Sequence, residues 1–238
     1  MQEILWSIKS YIARKNPNVT RTLISMGEAY LQEIYINKLS EGLSRLIACE
    51  LFLDRYYSSD SIFEAEAAIL QIRKAMECVA YAAVAPNKSK YAEFRSQADK
   101  AIDFTKDFHA GTILKMLSKI NPDFYPKPVS APLNVSLGKW HFDRRNDKSL
   151  SQKQFESFYD RLGKLLHADN PWGNEKGLRN LLADIPSTIE SIRLLLSLHF
   201  TVIRTSEFNG VWIVESPNNG QQPRVIVGQA IGEFAVEE

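Results

Sequence analysis

Cysteine is scarce in this sequence, which argues against a fold held together by disulfide bonds. The 238 residues contain two cysteines, Cys49 and Cys78, and both lie among apolar neighbours in helical patterns. A secreted, disulfide-stabilised scaffold would contain more cysteine. We therefore predict that both are buried, reduced thiols of a cytoplasmic protein.

Long apolar runs are also missing. The longest uninterrupted run, Cys78 to Ala85, contains eight residues, whereas a helix that crosses a bilayer needs about 20. The N-terminal segment carries an acidic residue at Glu3 and has no continuous apolar core, unlike a secretory signal. These absences predict a cytoplasmic protein that does not associate with membranes.

Several catalytic and cofactor-binding motifs are absent. The chain has no Walker phosphate loop and no GxGxxG, GxSxG, HExxH or CxxC sequence. Its histidines are spread along the chain, and none has a second metal ligand at helical spacing. They are His109, His141, His167 and His199. The sequence therefore predicts neither a bound metal ion nor a cofactor.

The charge is nearly balanced, with a formal net charge of +1, so only a local basic patch could attract a nucleic acid. One such segment, KWHFDRRNDK, runs from residue 139 to 148 and holds four basic residues against two acidic ones. Phosphates could bind to Lys139, Arg144, Arg145 and Lys148 while bases stack on the neighbouring aromatic rings. The alternative is an exposed loop that its aromatic residues anchor to the core.

Most of the chain up to about residue 200 has the apolar period of amphipathic helices. The clearest helix follows Ser61, where one apolar stripe comprises Ile62, Ala65, Ile69, Ile72, Met76, Val79 and Ala83. Other helices are predicted up to Lys38 with a break at residues 16–18, from Ser40 or Glu41 to Tyr57, from Ser89 to Phe108, from 111 to 120, from Gln152 to His167 and from Glu175 to Leu198. Pro186 should kink or restart the last of them.

A proline-rich connector interrupts these helices. Residues 121–133 contain four prolines, which exclude a helix or a central strand because each fixes φ and lacks an N–H donor. We expect an extended segment that packs Phe124 and Tyr125 on the helices. Irregular structure, which could include a short strand, should follow from Val135 to Lys153.

The apolar period changes from 3.6 residues to two near His199. Three β-rich runs, HFTVIRT, GVWIVES and RVIVGQA, are separated by Asn209-Gly210 and by PNNGQQP, which are turn signals. The predicted fold class is therefore mainly α, a helical bundle with a small C-terminal three-stranded antiparallel β meander packed on it. Its parts are an N-terminal helical segment at 1–40, the bundle at 41–200 and the meander at 201–238.

Three polar residues, Glu66, Arg73 and Glu77, lie along one edge of the helix that follows Ser61. They could form a buried polar network that lines a site. Alternatively, they belong to a solvated face on which Arg73 and Glu77 form an i,i+4 ion pair worth a few tenths of a kcal/mol.

A late helix contains an arginine and a histidine with five residues between them, Arg161 and His167, in YDRLGKLLHADNPW. Together with LQIRKAMECVAYAAV, with LSKINPDFYPKP and with the β-rich tail, this stretch resembles the HEPN group of nucleotide-binding helical bundles. The hallmark of that family is an arginine and a histidine separated by four to six residues. The resemblance covers residues 61–200 and implies a HEPN-like helical bundle.

The resemblance also implies a metal-independent endoribonuclease of the kind used as a toxin or in anti-phage defence, with an antitoxin or defence protein as its partner. The ribose 2′-hydroxyl would attack the adjacent phosphate and leave a 2′,3′-cyclic phosphate. His167 would transfer the proton, and Arg161 would hold the phosphate. Asp160 and Asn170 are candidate supporting residues beside the pair.

Two features depart from the family pattern. Leu162 follows the arginine, where active members usually carry a polar residue. Six residues of a straight helix turn by about 600°, which leaves the two side chains about 120° apart. One chain would therefore not direct both onto one phosphate unless Gly163 bends the helix. The resemblance implies a homodimer, or a pseudo-symmetric partner, that faces two motifs across a shared cleft.

A structural interpretation of the same motif stays open at this point. His167 could cap the end of its helix, where a cation favours the helix dipole, and Arg161 could pair with a surface acid. The chain would then be a non-catalytic HEPN-like module that binds a nucleotide, RNA or a protein.

Overall fold

The computed structural model describes residues 6–7, 26–97, 103–137, 139–167, 177–204, 209–217 and 221–230. This part of the chain is mainly helical and carries a small antiparallel sheet, as the sequence predicts. Its α-helices are α1 (Met26–Ser59), α2 (Ile62–Val84), α3 (Lys88–Ser96), α4 (Ala110–Ile120), α5 (Gln152–Leu165) and α6 (Leu178–Ser197). Its strands are β1 (Trp6–Ser7), β2 (Lys127–Pro128), β3 (Leu133–Ser136), β4 (Lys139–His141), β5 (Leu198–Arg204), β6 (Asn209–Glu215) and β7 (Arg224–Ala230).

α1 and α2 form a long antiparallel hairpin within the bundle. Asp60 lies between them with a φ of 52°, a left-handed conformation that a short polar side chain tolerates better than most. The apolar stripe predicted for α2 is buried along its length except at Ile62, which is 45% exposed at the first turn. Burial of this stripe removes apolar surface from water and drives the packing of the bundle.

α1 is one continuous helix, so the helix start that we predicted at Ser40 or Glu41 is wrong. Lys38 and Arg45 each lie 2.7 Å from the carboxylate of Glu41, and their hydrogen bonds lower the pKa of Glu41 to about 2. Ion pairs one turn apart stabilise the helix through the residues where we predicted a new start. The proposed division of the chain at residue 40 thus falls inside α1.

The predicted helix up to Phe108 is wrong in its C-terminal part, because α3 ends at Ser96 and a 3₁₀ turn precedes α4. The Asp107 carboxylate accepts hydrogen bonds from Tyr91 at 2.8 Å and from Arg95 at 2.7 Å. These bonds tie the chain back onto α3. A local apolar pattern does not report such a contact, which explains the wrong prediction.

α5 and α6 confirm the two late helices, with different ends. Ser151 starts α5 with a capping box. α5 ends at Leu165, two residues before the predicted end at His167. α6 runs on through Pro186, which excludes a restart and leaves a kink as the effect predicted for this proline. The predicted start of this helix at Glu175 lies outside the described residues.

The sheet has the strand order β2-β5-β6-β7-β1-β4-β3, and its neighbouring strands are antiparallel. The predicted meander is confirmed as β5, β6 and β7, but it forms only the middle of this larger sheet. Our helical prediction for the N-terminal segment is wrong at β1, where Trp6 pairs with Ala230 and with Trp140. Strand propensity depends on partners far away in the sequence, so no local pattern predicts these pairs.

Apolar side chains cover both faces of the sheet. Trp212 and Val214 join the core of the helical bundle, which confirms that the meander packs on the helices. A second cluster, which includes Val202 and Val211, lies on the opposite face. The proline-rich connector places β2 at the edge of the sheet and buries Phe124 in the helical core, as predicted.

The described helices include none that is both long and apolar enough to cross a membrane. Cys49 and Cys78 are buried and unbridged, as predicted. Burial raises the pKa of the Cys49 thiol to about 12 and that of the Cys78 thiol to about 11. Both are therefore protonated residues of the core rather than nucleophiles.

Candidate functional site

A cleft of about 600 Å³ opens between α2, α4 and α5. Charged side chains and two imidazoles line it, namely Arg73, His109, Asp160, Lys164 and His167, together with Gly163 and Leu166. Arg73 lies on α2, His109 precedes α4, and the other residues lie on α5 or just after it. Three elements that are distant in the sequence thus build one concave polar surface.

Tyr159 of α5 connects these three elements beneath the cleft. Its side chain is fully buried, and its hydroxyl donates to Glu77 of α2 at 2.8 Å. The Cζ atom of Arg73 lies 4.0 Å from the centre of the ring, and His109 contacts the ring edge-on at 5.2 Å between centroids. Burial, together with the hydrogen bond to Glu77, raises the pKa of Tyr159 to about 12, so the phenol stays a neutral donor.

Arg73 is held at one side of the cleft by several contacts. Its Nη1 donates to the carbonyl of Tyr159 at 3.1 Å, and its Nε lies 3.4 Å from Oε1 of Glu77. Gly163 supplies the space, because a Cβ atom there would lie 2.8 Å from Nη1 of Arg73. The side chain is 19% exposed and lines the cleft.

The polar edge that we predicted on α2 therefore divides into two parts. Arg73 and Glu77 form the expected i,i+4 pair, and both also contact α5. Glu66 is exposed and is not among the residues that line the cleft. The expected ion pair is thus present and partly buried against α5, with Arg73 at the cleft, whereas Glu66 belongs to the solvated face.

His109 is the N-cap of α4. Its Nδ1 accepts a hydrogen bond from the amide of Thr112 at 3.3 Å, and Oγ1 of Thr112 lies 3.2 Å from the same nitrogen. A ring nitrogen that accepts carries no hydrogen, so the hydrogen of the neutral ring is on Nε2. This ring lines the cleft, where it offers an N–H donor.

The structure separates the two residues of the arginine–histidine motif. His167 lies just beyond the end of α5, is exposed and lines the cleft. Arg161 lies on another face of α5, where its Nη2 donates to Asp184 of α6 at 2.8 Å. Its guanidinium also lies 5.8 Å from the ring centre of Phe158. Arg161 lies within α5 and His167 follows its last turn, and the two side chains do not meet at one site.

The other residues around the motif differ in placement. Asp160, a predicted supporting residue, lines the cleft, whereas Asn170 lies outside the described residues. Leu162, which stands where active HEPN members usually have a polar residue, is fully buried in the helical core. Lys164, which the sequence analysis does not single out, adds a second cation to the cleft.

Three of the four cations that we predicted to bind nucleic acid are exposed. Lys139 lies on β4, and Arg144 and Lys148 lie in the segment that follows it. These three residues are not among those that line the cleft. The basic segment and the cleft are thus separate features of the described surface.

Arg145, the fourth of these cations, is engaged within the fold. Its Nη1 donates to Oγ of Ser197 at 3.0 Å, its Nη2 donates to the carbonyl of Leu194, and its side chain pairs with Asp147. These contacts hold the loop against the C-terminal end of α6. They occupy the guanidinium that we predicted to bind phosphate.

His199 is a core residue and lies outside the cleft. It is fully buried, with Nδ1 3.1 Å from the carbonyl of Leu196 and Nε2 2.8 Å from the hydroxyl of Tyr35. The carbonyl can only accept, so Nδ1 carries the hydrogen and the Tyr35 hydroxyl donates to Nε2. Burial lowers the pKa of His199 from its ordinary value of 6.5 to about 4.

The buried His199 should make the protein less stable in acid. Below about pH 6.5 the unfolded chain binds a proton at this residue that the folded chain does not, so the free energy of unfolding falls by up to about 1.4 kcal/mol per pH unit. The loss should continue until the pH reaches the folded pKa of about 4. Urea unfolding at pH 7 and pH 5 measures it, with an expected loss of about 2 kcal/mol from this group.

A variant without the titrating ring provides the comparison. His199→Gln should lose about 2 kcal/mol less between pH 7 and pH 5 than the wild type does. An equal loss in both proteins would show that other groups determine the acid sensitivity.

The cleft combines proton-transfer groups with positive charge. Among the residues that line it, Arg73 and Lys164 are cationic and Asp160 is anionic, while Glu77 pairs with Arg73 from one side. Imidazoles such as His109 and His167 are the groups most often used for proton transfer. Among the described residues, no three His, Cys, Asp or Glu side chains are placed to hold a metal ion together. This set of groups best suits an anionic ligand that reacts by proton transfer.

The sequence does not indicate that Arg73 and His109, or the neighbouring Lys164, belong to one site. The sequence indicates Arg73 only as part of a helix edge, and His109 only as an isolated histidine. One local signal exists, because a glycine inside an amphipathic helix, here Gly163, often marks a close approach. The sequence does not say which side chain approaches it.

Comparisons with protein families, curated proteins and solved structures find no match to this chain. The fold and the cleft define a class of protein, a mainly helical bundle with a small antiparallel sheet and a polar cleft that contains two histidines. The function therefore has to be inferred from the chemistry of that cleft.

Proposed function

We propose that this protein is a metal-independent endoribonuclease of the HEPN-like type, which acts in the cytoplasm as a toxin or an anti-phage defence effector. The observation that carries the proposal is the cleft between α2, α4 and α5, where His167 lies together with a second imidazole and a fixed guanidinium. Cleavage of an RNA phosphodiester needs proton transfer and stabilisation of negative charge. The cleft contains groups for both tasks.

In the proposed reaction, the ribose 2′-oxygen forms a bond to the adjacent phosphorus while its proton passes to His167. The bond from phosphorus to the 5′-oxygen of the next nucleotide breaks, and that oxygen takes a proton from the ammonium of Lys164. The products are a 2′,3′-cyclic phosphate and a 5′-hydroxyl. Exchange with solvent then returns His167 and Lys164 to their starting states.

His109 suits a different role from that of His167. Its Nδ1 is occupied by the amide of Thr112, so the neutral ring offers only the N–H of Nε2. A fixed neutral donor of this kind stabilises charge that develops on a phosphate oxygen. We therefore assign proton transfer to His167 and hydrogen bonding of the phosphate to His109.

The homodimer that the family resemblance implies belongs to the same proposal, as does an antitoxin or defence protein as partner. Arg161 pairs with Asp184 away from the cleft, so it does not face a phosphate bound in the cleft of its own chain. A second copy, related by a two-fold axis, could supply its own Arg161 to this cleft. The exposed cations Lys139, Arg144 and Lys148 would then bind flanking RNA phosphates.

A defined oligoribonucleotide incubated with the purified protein in EDTA tests the proposal. We expect fragments that end in a 2′,3′-cyclic phosphate and a 5′-hydroxyl, because the attacking group is the 2′-hydroxyl. An oligonucleotide of the same sequence with 2′-O-methyl groups lacks this nucleophile and should stay intact. Fragments with 5′-phosphate ends, or cleavage that EDTA abolishes, would contradict the proposal.

A second candidate function is a non-catalytic HEPN-like module that binds a nucleotide, RNA or a protein. Two observations favour it: Arg161 is engaged by Asp184, and the buried Leu162 stands where active members usually have a polar residue. This function predicts binding of the oligoribonucleotide without cleavage. The assay described above therefore distinguishes the two functions directly.

A further inference from the structure

We propose that Arg73 of α2 is the phosphate-binding residue of this cleft, in the role that the sequence motif assigns to Arg161. The ligand is a phosphate group, and under the proposed function, on which this inference rests, it is the phosphodiester of RNA. Arg73 lines the cleft that also contains His167. Arg161 lies on another face of α5 and binds Asp184.

The hydrogen-bond donors of Arg73 are only partly used. A guanidinium carries five N–H groups. Nε faces Glu77 at 3.4 Å, and Nη1 donates to the carbonyl of Tyr159 at 3.1 Å. The described residues supply Arg73 with no further acceptor within hydrogen-bond distance. The remaining N–H groups are therefore available to two oxygens of a phosphate, which the planar fork of an arginine matches.

The guanidinium is also fixed before a ligand arrives. Its Cζ atom lies 4.0 Å from the centre of the buried Tyr159 ring, and its Nε lies 3.4 Å from Oε1 of Glu77. Fixing a long side chain in advance reduces the entropy that binding would otherwise cost. A solvated arginine whose only role was an i,i+4 pair would not need this support.

A substitution at Gly163 can disturb phosphate binding by Arg73 without unfolding the protein. A Cβ atom at this position would lie 2.8 Å from Nη1 of Arg73, so alanine there must push the guanidinium aside. The displaced group is the end of a flexible side chain, and alanine favours a helix more than glycine does. The gain in helix propensity offsets part of the contacts that Arg73 loses to Glu77 and Tyr159, so Gly163→Ala should still fold, with a melting temperature close to that of the wild type, while its phosphate site is disturbed.

Isothermal titration calorimetry with inorganic phosphate and with adenosine 3′-monophosphate tests the inference. Wild-type protein should bind both, and the nucleotide more tightly. Arg73→Lys and Gly163→Ala should each bind about ten- to hundredfold more weakly, the loss expected when hydrogen bonds to a charged group disappear. The matched control is Arg45→Lys, because Arg45 also pairs with a glutamate one turn away but lies outside the cleft.

Several outcomes would overturn the inference. Phosphate binding by Arg73→Lys and Gly163→Ala at wild-type affinity would mean that Arg73 only joins α2 to α5. Weaker phosphate binding by Arg161→Lys, with unchanged binding by Arg73→Lys, would show that Arg161 rather than Arg73 binds the phosphate. Absence of phosphate binding by the wild type would show that the cleft is not a phosphate site.

The same variants keep this inference separate from the proposed ribonuclease function. RNA cleavage by Arg73→Lys at the wild-type rate would overturn the role of Arg73 and leave the ribonuclease function intact. Conversely, phosphate binding that depends on Arg73, in a wild type that does not cleave RNA, would support this inference and exclude the ribonuclease function.

Discussion

Replacement of His167 by alanine is expected to lower the rate of RNA cleavage by about 10²- to 10⁴-fold, the usual loss when a positioned acid or base is removed. His167 is exposed and follows the last turn of α5, so the substitution removes no buried packing and should leave the fold unchanged. The measurement is the single-turnover rate on a defined oligoribonucleotide in EDTA, with a melting curve for each protein.

A control variant for this assay has to lie outside the cleft. The sequence alone would suggest His109→Ala as a neutral control, because His109 lies outside the arginine–histidine motif. The structure makes it unsuitable, since His109 lines the same cleft. Arg45→Lys, purified in parallel, should cleave at the wild-type rate. Equal rates in His167→Ala and the wild type would mean that the nuclease is a contaminant or that the site lies elsewhere.

Replacement of Tyr159 by alanine is expected to reduce the free energy of unfolding by about 3–5 kcal/mol, the range for loss of a large aromatic side chain from a core. The ring is fully buried and supports both Arg73 and His109. Its removal leaves a cavity where α2, α4 and α5 meet. Urea unfolding at neutral pH measures this effect.

Tyr159→Phe separates the contribution of the ring from that of the hydroxyl. This variant keeps the ring beneath Arg73 but loses the hydrogen bond to Glu77, which should cost about 1 kcal/mol. Its phosphate affinity should stay close to that of the wild type. A Tyr159→Ala protein within about 1 kcal/mol of the wild type would show that Tyr159 does not organise the cleft.

The parts of the fold that the sequence predicts are those with strong local patterns. The stripe of α2 recurs every three or four residues, and the turn residues around Asn209 separate strands of period two. Both patterns follow from burial of one face of an element. The divergence of Arg161 and His167 is also what a local rule predicts, the 100° turn of a helix per residue, although α5 itself ends at Leu165.

The other parts of the fold, and the cleft itself, depend on contacts between segments that are distant in the sequence. Trp6 joins the sheet only because β7 and β4 are there to pair with it. Likewise, Arg73 of α2 reaches the cleft by packing against Gly163 of α5. Neither helix carries a sequence signal that identifies the other, so composition and periodicity could not predict this site.

The position of a bound RNA phosphate tests the central claim most directly. A dinucleotide with a 2′-O-methyl group keeps the phosphodiester but cannot be cleaved, so its complex with the wild-type protein can be crystallised. We predict that the phosphate lies in the cleft, within hydrogen-bond distance of the guanidinium of Arg73 and of Nε2 of His109, with the 2′-oxygen beside His167. A dinucleotide bound only along residues 139–148, with the cleft left without ligand, would contradict this account.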